Sequence, residues 1–144
     1  MTAYLDTSAL VKLYVQEPGS ERVRQAVDRA THVATSRVTY VEARAAFARR
    51  ARERGMSHAS HREVVRLFER EWEAYARMEV SEPLIRLAGD YTEQHALRAY
   101  DAIQLASAVS LRQDTRRPVA FLTADHHLTA AAEKEGLTTE RVAA

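Results

Sequence analysis

Short apolar segments alternate along this chain with segments of helical periodicity, and this alternation restricts the fold more than any other feature of the sequence. The strand-like segments are 2–5, 32–36, 78–80, 118–123 and 138–142. Strands that are separated by helices form parallel β-α-β units, which pack as a sheet with helices on both faces. We therefore predict an α/β, three-layer α/β/α fold with a central, mainly parallel sheet of four or five short strands.

The intervening segments carry apolar residues at the spacings of three and four that are typical of helices. The predicted helices are 8–14, 21–30, 37–54, 57–76, 81–91, 99–112 and 125–136. Ser8 and Ser20 stand where a helix N-cap is expected, and Gly55 stands just after the third helix. The fourth helix has an apolar face that we expect to lie in the core, made of Val64, Leu67, Phe68, Trp72 and Tyr75.

Length and composition fit one domain that spans 1–144, since the chain has 144 residues, of which 46% are hydrophobic and 28% charged. No segment approaches the roughly 18 consecutive apolar residues that a membrane helix needs. The first residues form a strand-like segment without a basic leader, so we expect a cytoplasmic protein with no membrane contact. The absence of cysteine excludes disulfides, a thiolate nucleophile and a cysteine-ligated zinc site.

Four acidic side chains stand at the edges of apolar segments. Asp6 and Asp125 follow predicted strands, while Glu42 and Asp101 stand near the starts of predicted helices. In parallel α/β folds these positions share one edge of the sheet, where ligands bind. Ionised carboxylates beside a core are costly unless they are paired or bound to a metal. Together, the four carboxylates predict a site for a hard cation, Mg²⁺ or Mn²⁺.

Each acid also has a simpler explanation. Asp6 fits an Asx-turn, Asp101 and Asp125 fit helix N-caps, and Glu42 fits an ion pair with a nearby arginine. These alternatives remain open for each residue alone. They explain less well why one fold places all four acids at the same edge.

The segment 44–54 is rich in arginine: Arg44, Arg49, Arg50, Arg52 and Arg54. Guanidinium groups suit phosphate oxygens, so this segment is a candidate RNA-binding surface. A coding bias explains it equally well, because the whole chain has 19 Arg and two Lys. His126 and His127 follow Asp125 and are candidate metal ligands or proton shuttles, although exposed positions in the first turn of a helix are the simpler interpretation.

Four ordered motifs resemble the PIN-domain ribonucleases, and in particular the VapC-type toxins of toxin–antitoxin pairs. The motifs are Tyr4-Leu5-Asp6-Thr7-Ser8-Ala9-Leu10, Thr39-Tyr40-Val41-Glu42-Ala43, Tyr100-Asp101-Ala102-Ile103-Gln104-Leu105-Ala106 and Phe121-Leu122-Thr123-Ala124-Asp125. No motif is specific alone, but their order is that of the family, and they extend over nearly the whole chain. The resemblance implies a single PIN domain over 1–144 and a PIN-like fold.

The resemblance also implies roles for individual residues. Asp6 and Asp101 are the expected core metal ligands, Glu42 contacts the metal or its bound water, and Asp125 completes the site or helps to hold a second ion. Ser8 and Thr123 match positions that donate hydrogen bonds within the pocket. Arg44 and Arg98, which flank Glu42 and Asp101, are candidate substrate-binding residues or simple ion-pair partners of those acids.

The activity that the resemblance implies is Mg²⁺- or Mn²⁺-dependent hydrolysis of RNA by a toxin. Its implied partners are the RNA substrate, a cognate antitoxin that inserts an arginine near the carboxylates, and a second copy of the chain in a homodimer. The expected surface for these protein contacts lies on 37–76 and includes Tyr40, Phe47, Phe68, Trp72 and Tyr75, unless these aromatic residues are core.

Two other functions remain open. A metal-dependent nuclease that acts on structured DNA needs the same carboxylates. A non-catalytic module that binds protein or RNA uses the acids only as caps and ion-pair partners, and it predicts no specific Mg²⁺ or Mn²⁺ binding.

Overall fold

The computed structural model describes residues 1–143, which form five strands and seven helices in alternation. The strands are β1 (Thr2–Leu5), β2 (His32–Ser36), β3 (Ala76–Met78), β4 (Val119–Thr123) and β5 (Thr138–Arg141). The helices are α1 (Thr7–Val11), α2 (Ser20–Arg29), α3 (Thr39–Glu53), α4 (His58–Trp72), α5 (Glu82–Gln94), α6 (Ala99–Thr115) and α7 (His126–Lys134). No helix among these residues is both long enough and apolar enough to span a bilayer.

All strand pairs in the sheet are parallel, and the strand order is β3-β2-β1-β4-β5. The chain adds β2 and β3 on one side of β1 and then crosses to add β4 and β5 on the other. Such a reversal opens a crevice at the carboxyl ends of the two strands that flank it, here β1 and β4. Leu5 pairs with Leu122 at these ends, so the residues that follow β1 and β4 emerge side by side.

Two apolar cores, one on each face of the sheet, confirm the predicted three layers. Successive side chains of a strand point to opposite faces. Tyr4 packs in one core with α5, α6 and α7, whereas Leu5 packs in the other with α1, α3 and α4. Both side chains have no exposed surface. At about 25 cal/mol per Å² of buried apolar area, side chains of this size contribute about 2 kcal/mol each.

Most of the aromatic residues of α3 and α4 lie in the second core. Phe47 and Phe68 are at most 1% exposed, and Trp72 is 8% exposed. Phe68 contacts four aromatic rings at centroid distances of 5.4–5.6 Å. The core interpretation of these residues is confirmed, and their assignment to a protein-binding surface is wrong. Leu67 is 39% exposed, so its expected place in the core is also wrong.

Several predicted boundaries shift in the structure. Asp6, not Ser8, caps α1, because the Asp6 side chain accepts the hydrogen bond from the Ala9 amide. Gly19, not Ser20, is the N-cap of α2. Gly19 has a φ of 92°, and a Cβ there would lie 1.9 Å from the backbone oxygen of Val142, so this position requires glycine.

Candidate active site

The four acidic side chains singled out in the sequence line one cleft of about 400 Å³ at the carboxyl ends of β1 and β4. These residues are Asp6, Glu42, Asp101 and Asp125. The other residues that line this cleft are Thr7, Ser8, Val11, Ala45, Ala46, Arg49, Arg50, Arg98 and Gln104. The structure therefore brings together carboxylates that are 119 positions apart at the extremes of the sequence, from residue 6 to residue 125. Each comes from a different helix start.

Asp6 is the most enclosed of the four carboxylates, with 4% of its surface exposed. It follows β1 and caps α1, so it leaves the sheet at the crevice. Its Oδ1 accepts hydrogen bonds from the Ser8 hydroxyl at 2.7 Å and the Ala9 amide at 2.9 Å. Its Oδ2 accepts one from the Thr123 hydroxyl at 2.5 Å. The carboxylate is thus held rigidly by neutral donors and has no cationic partner among residues 1–143.

The surroundings of Asp6 disfavour its negative charge. Burial raises the pKa of Asp6 from 3.8 to about 6, and the charge of Asp101 adds to the rise. The hydrogen bonds from Thr123, Ser8 and Ala9 oppose this rise and limit it. A carboxylate that is ionised at neutral pH in such a place is stabilised by a bound cation.

Ser8 and Thr123 join the ends of the two strands that flank the crevice. The Ser8 hydroxyl donates to Asp6 and accepts a hydrogen bond from the Ala124 amide at 2.9 Å. The Thr123 hydroxyl likewise donates to Asp6 and accepts from the Asp125 amide at 3.0 Å. Each hydroxyl therefore fixes Asp6 relative to the segment that follows β4.

Glu42 lies in the first turn of α3 and is held through one carboxylate oxygen. Its Oε1 accepts hydrogen bonds from the Thr7 hydroxyl at 2.6 Å and from Nε2 of Gln104 at 3.1 Å. Within residues 1–143, no arginine forms an ion pair with Glu42. The expectation that Glu42 is neutralised by a neighbouring arginine is wrong, because the nearby Arg44 contacts Tyr40 and Glu69 instead, at 2.7 and 3.1 Å.

Asp101 and Asp125 lie in the cleft, and each also accepts a hydrogen bond at the start of its own helix, α6 or α7. Asp125 caps α7 by accepting a hydrogen bond from the Leu128 amide at 2.7 Å. Asp101, in the first turn of α6, accepts one from Nε of Arg98 at 3.3 Å. The Arg98 side chain is 85% exposed, so this ion pair contributes little to stability. Asp125 is therefore both the predicted helix cap and a residue of the cleft. Asp101 is not the predicted cap of α6, and it forms an ion pair with Arg98 instead.

The arginine-rich segment 44–54 divides between the cleft and other surfaces. Arg49 and Arg50 line the cleft, whereas Arg44 does not, and neither His126 nor His127 does. Arg50 contacts both carboxylate oxygens of Glu17, at 2.8 and 3.3 Å. Burial alone would raise the pKa of Glu17, but Arg50 and Lys12 outweigh it and the pKa is lowered. Within residues 1–143 the ion pair that Arg49 forms is a distant one, with Glu53 at 3.9 Å.

The donor set of the cleft fits Mg²⁺ or Mn²⁺ better than a thiolate- or imidazole-binding metal. All four acidic groups offer carboxylate oxygens, and the chain has no cysteine. In residues 1–143 no three Asp, Glu or His side chains are grouped closely enough to hold one metal ion between them. Mg²⁺ keeps several of its waters and is often held by only one or two carboxylates, so an open rim of carboxylates suits it.

Two polar residues of the cleft were missed in the sequence, Thr7 and Gln104, and both contact Glu42. Gln104 had a visible signal: it is a polar residue in the most apolar helix, three positions after Asp101, and so lies on the same helix face. Arg49 had a similar signal, since it stands seven positions after Glu42 in α3. Helical periodicity counted from Asp101 identifies Gln104, and counted from Glu42 it selects Arg49 within the arginine-rich segment.

The comparisons with known proteins agree with the geometry. The family model for the PIN domain matches residues 3–134. Ribonuclease VapC45 and Ribonuclease VapC49, from two strains of Mycobacterium tuberculosis, are each 35% identical to this chain over 108 residues, which are 75% of either length.

Solved structures are similar to this chain in fold. PAE2754 from Pyrobaculum aerophilum is 19% identical and superposes with a TM-score of 0.65 over 96% of this chain and 89% of its own. A toxin–antitoxin complex from Klebsiella pneumoniae contains a chain that is 17% identical, with a TM-score of 0.51 over 82% of this chain and 83% of its own. At these identities the likeness concerns the fold alone.

Proposed function

Because the chain belongs to the PIN domain family, we propose that it is a Mg²⁺- or Mn²⁺-dependent endoribonuclease that acts as the toxin of a toxin–antitoxin pair. The observation that carries the proposal is that Asp6, Glu42, Asp101 and Asp125 line one cleft at the switch point of the sheet. RNA is favoured over DNA because the two relatives at 35% identity are named ribonucleases. The proposed domain comprises all of 1–144, acting on cytoplasmic RNA.

The four carboxylates of the cleft are the proposed metal ligands. Asp6 and Asp101 are the main ligands in this proposal, with Glu42 and Asp125 at the sides of the ion or ions. A bound Mg²⁺ ion supplies charge neutralisation at the phosphodiester and a lowered pKa of water. The hydroxyls of Ser8 and Thr123 hold Asp6 in place for this role, through the hydrogen bonds that limit its pKa.

Two arginines of the cleft are the proposed contacts of the RNA backbone. Arg49 and Arg98 line the cleft with side chains 56% and 85% exposed, so both can reach a phosphate outside the carboxylates. Arg50 is only 19% exposed and is committed to Glu17. Within the arginine-rich segment, we therefore assign the substrate contact to Arg49. We do not assign this role to Arg44, the other candidate, because Arg44 does not line the cleft and pairs with Glu69.

The proposed protein partners are an antitoxin and a second copy of the chain. Support for the antitoxin is the structural likeness to the Klebsiella pneumoniae toxin–antitoxin complex. An arginine of the antitoxin is the natural counter-ion for the carboxylates, which carry more negative charge than Arg98 neutralises. For the homodimer, the exposed apolar surface is Val41 and Tyr100, which are 68% and 58% exposed and border one hollow beside the cleft.

The homodimer is tested by Val41→Glu. We expect the wild-type chain to have the mass of a dimer by light scattering and the variant to have that of a monomer, because a charge cannot be buried unpaired in an interface. Ile85→Glu is the matched control, since Ile85 is an exposed apolar residue on α5, 42% exposed. A monomeric wild type, or a dimeric Val41→Glu variant, would contradict the proposed interface.

The activity is tested by removal of the metal. Purified chain, free of antitoxin, is incubated with total RNA in Mg²⁺ or Mn²⁺, and in EDTA. We expect discrete RNA fragments with either metal and intact RNA in EDTA, because the ionised carboxylates then repel phosphate. Restoring Mn²⁺ after EDTA is expected to restore cleavage.

The same assay separates the alternatives when structured DNA is offered beside RNA. Cleavage of DNA with intact RNA would favour the DNA nuclease. Cleavage of neither polymer, in a protein that also binds no Mn²⁺, would favour the non-catalytic module. Cleavage of RNA that persists in EDTA would contradict the metal-dependent mechanism.

A further inference from the structure

Gln104 is a buried polar residue of α6 that joins one core of the protein to the acidic cleft. It is 2% exposed and lies one helical turn after Asp101. Its Oε1 accepts a hydrogen bond from the Tyr4 hydroxyl at 2.6 Å. Its Nε2 lies 2.9 Å from the Thr39 hydroxyl and 3.1 Å from Oε1 of Glu42. Both ends of the side-chain amide are therefore used.

The orientation of this amide is determined by its neighbours. A carboxylate only accepts hydrogen bonds, so Nε2 of Gln104 must face Glu42, and Oε1 must face Tyr4. A tyrosine hydroxyl has an ordinary pKa of about 10, so Tyr4 is a neutral donor at neutral pH. Tyr4 has no exposed surface and is stacked on Phe121 at 5.5 Å, so the donor itself is immobile.

The hydrogen bonds from Thr7 and Gln104 hold Oε1 of Glu42 and do not involve Oε2. Among residues 1–143 the hydrogen bonds to the Glu42 side chain fall on Oε1 alone, which leaves Oε2 for a ligand of the cleft that Glu42 lines. A glutamate has three rotatable side-chain bonds, so a pre-formed network that holds it in one rotamer reduces the conformational entropy that is lost when the metal binds.

We propose that Gln104 is a positioning residue, which is anchored by Tyr4 and holds Glu42 by Oε1 so that Oε2 can take part in metal binding. The inference rests on the proposed function and deepens it, because it adds a residue that acts through Glu42. Residues that orient metal ligands in this way change metal affinity or activity by about 10- to 100-fold when they are lost.

The test is the double variant Gln104→Met with Tyr4→Phe. Methionine matches glutamine in length, and the phenylalanine removes the Tyr4 hydroxyl that would otherwise be left buried without an acceptor. We expect a melting temperature in EDTA close to that of the wild type. Calorimetric Mn²⁺ binding is expected to be about tenfold weaker, and kcat for RNA about 30-fold lower, with an unchanged KM.

A second variant, Gln104→Glu, tests the same role if the double variant does not fold. Gln104→Glu keeps an acceptor for Tyr4 but replaces the donor that faces Glu42 with an oxygen, so Mn²⁺-dependent cleavage is expected to fall by at least tenfold. Thr115→Val is the matched control, because Thr115 lies at the far end of the same helix and its hydroxyl donates to the Leu111 carbonyl at 2.8 Å. It is expected to bind Mn²⁺ and cleave RNA as the wild type does.

The outcomes separate this inference from the proposed function. Wild-type Mn²⁺ affinity and kcat in either folded Gln104 variant, beside an active wild type, would overturn the role of Gln104 alone. A higher KM with unchanged kcat and unchanged Mn²⁺ affinity would also overturn it, because it would indicate a substrate contact. A wild type that neither binds Mn²⁺ nor cleaves RNA would overturn the proposed function and this inference together.

Discussion

Replacing Asp6 by asparagine is expected to lower Mg²⁺- or Mn²⁺-dependent RNA cleavage by at least about 1000-fold. Asparagine preserves the cap of α1, because its Oδ1 still accepts from the Ala9 amide, and it removes the charge that the metal requires. A loss of that size corresponds to about 4 kcal/mol of transition-state stabilisation, which is the scale of a metal ion's contribution. The measurement is kcat/KM on a defined RNA fragment at saturating Mn²⁺.

Two other variants complete this experiment. Asp101→Asn is expected to have an effect of the same order, since Asp101 is the second main ligand of the proposed site. Asp114→Asn, an exposed residue at the end of α6, is the control and is expected to leave kcat/KM unchanged. Retention of more than a tenth of wild-type cleavage by Asp6→Asn would exclude Asp6 as a principal metal ligand.

The same Asp6→Asn variant is expected to be more stable than the wild type when no metal is present. The pKa of Asp6 is raised from 3.8 to about 6 by burial, so ionisation of this group at neutral pH costs the folded state about 3 kcal/mol. Asparagine carries no charge and avoids this cost. Urea unfolding in EDTA at pH 8 is therefore expected to give a free energy of unfolding about 3 kcal/mol higher for the variant.

The pH dependence of this difference has a definite sign. Below pH 4 the carboxyl is protonated in both the folded and the unfolded wild type, so the two proteins are expected to be equally stable there. Between pH 4 and 6 the folded state binds more protons than the unfolded state, and the wild type loses stability relative to the variant as pH rises. Above pH 6 the difference is constant. A difference that grows as pH falls, or one that is absent at pH 8, would contradict this account.

The sequence was sufficient to predict the positions of the four carboxylates. Asp6 and Asp125 follow strands that became β1 and β4, and parallel strands end at one edge, so local pattern and elementary topology place both residues there. Glu42 and Asp101 stand in the first turns of α3 and α6, whose starts lie at that same edge. The strand order and the direction of each strand follow the general rules for β-α-β units.

The contacts of the site were less predictable because they depend on how each helix is rotated about its axis. Arg44 stands two residues after Glu42 and therefore points away from it, whereas Arg49 stands seven residues after it and shares its face. Gln104 and Thr7 contact Glu42 across 62 and 35 positions of sequence, which no local pattern specifies. The interpretation of Asp125 as a simple cap was correct in its geometry and did not exclude a place in the cleft.

The burial of the aromatic residues follows from the same rotation. Phe68 and Trp72 are four residues apart and share the buried face of α4, while Leu67 lies off that face. Apolar residues on a helix indicate a buried stripe, but its width is set by the neighbouring elements. Val41 and Tyr100 are apolar residues that stay exposed and border one hollow, and no sequence pattern distinguishes them from buried apolar residues.

The measurement that tests the central claim most directly is a calorimetric titration of Mn²⁺ into the metal-free wild type and into Asp6→Asn. If the carboxylates of the cleft form a metal centre, the wild type binds Mn²⁺ saturably, Asp114→Asn binds it equally well, and Asp6→Asn binds it at least tenfold more weakly. The absence of binding to the wild type, or equal binding to Asp6→Asn, would contradict the claim that this cleft is a metal-dependent active site.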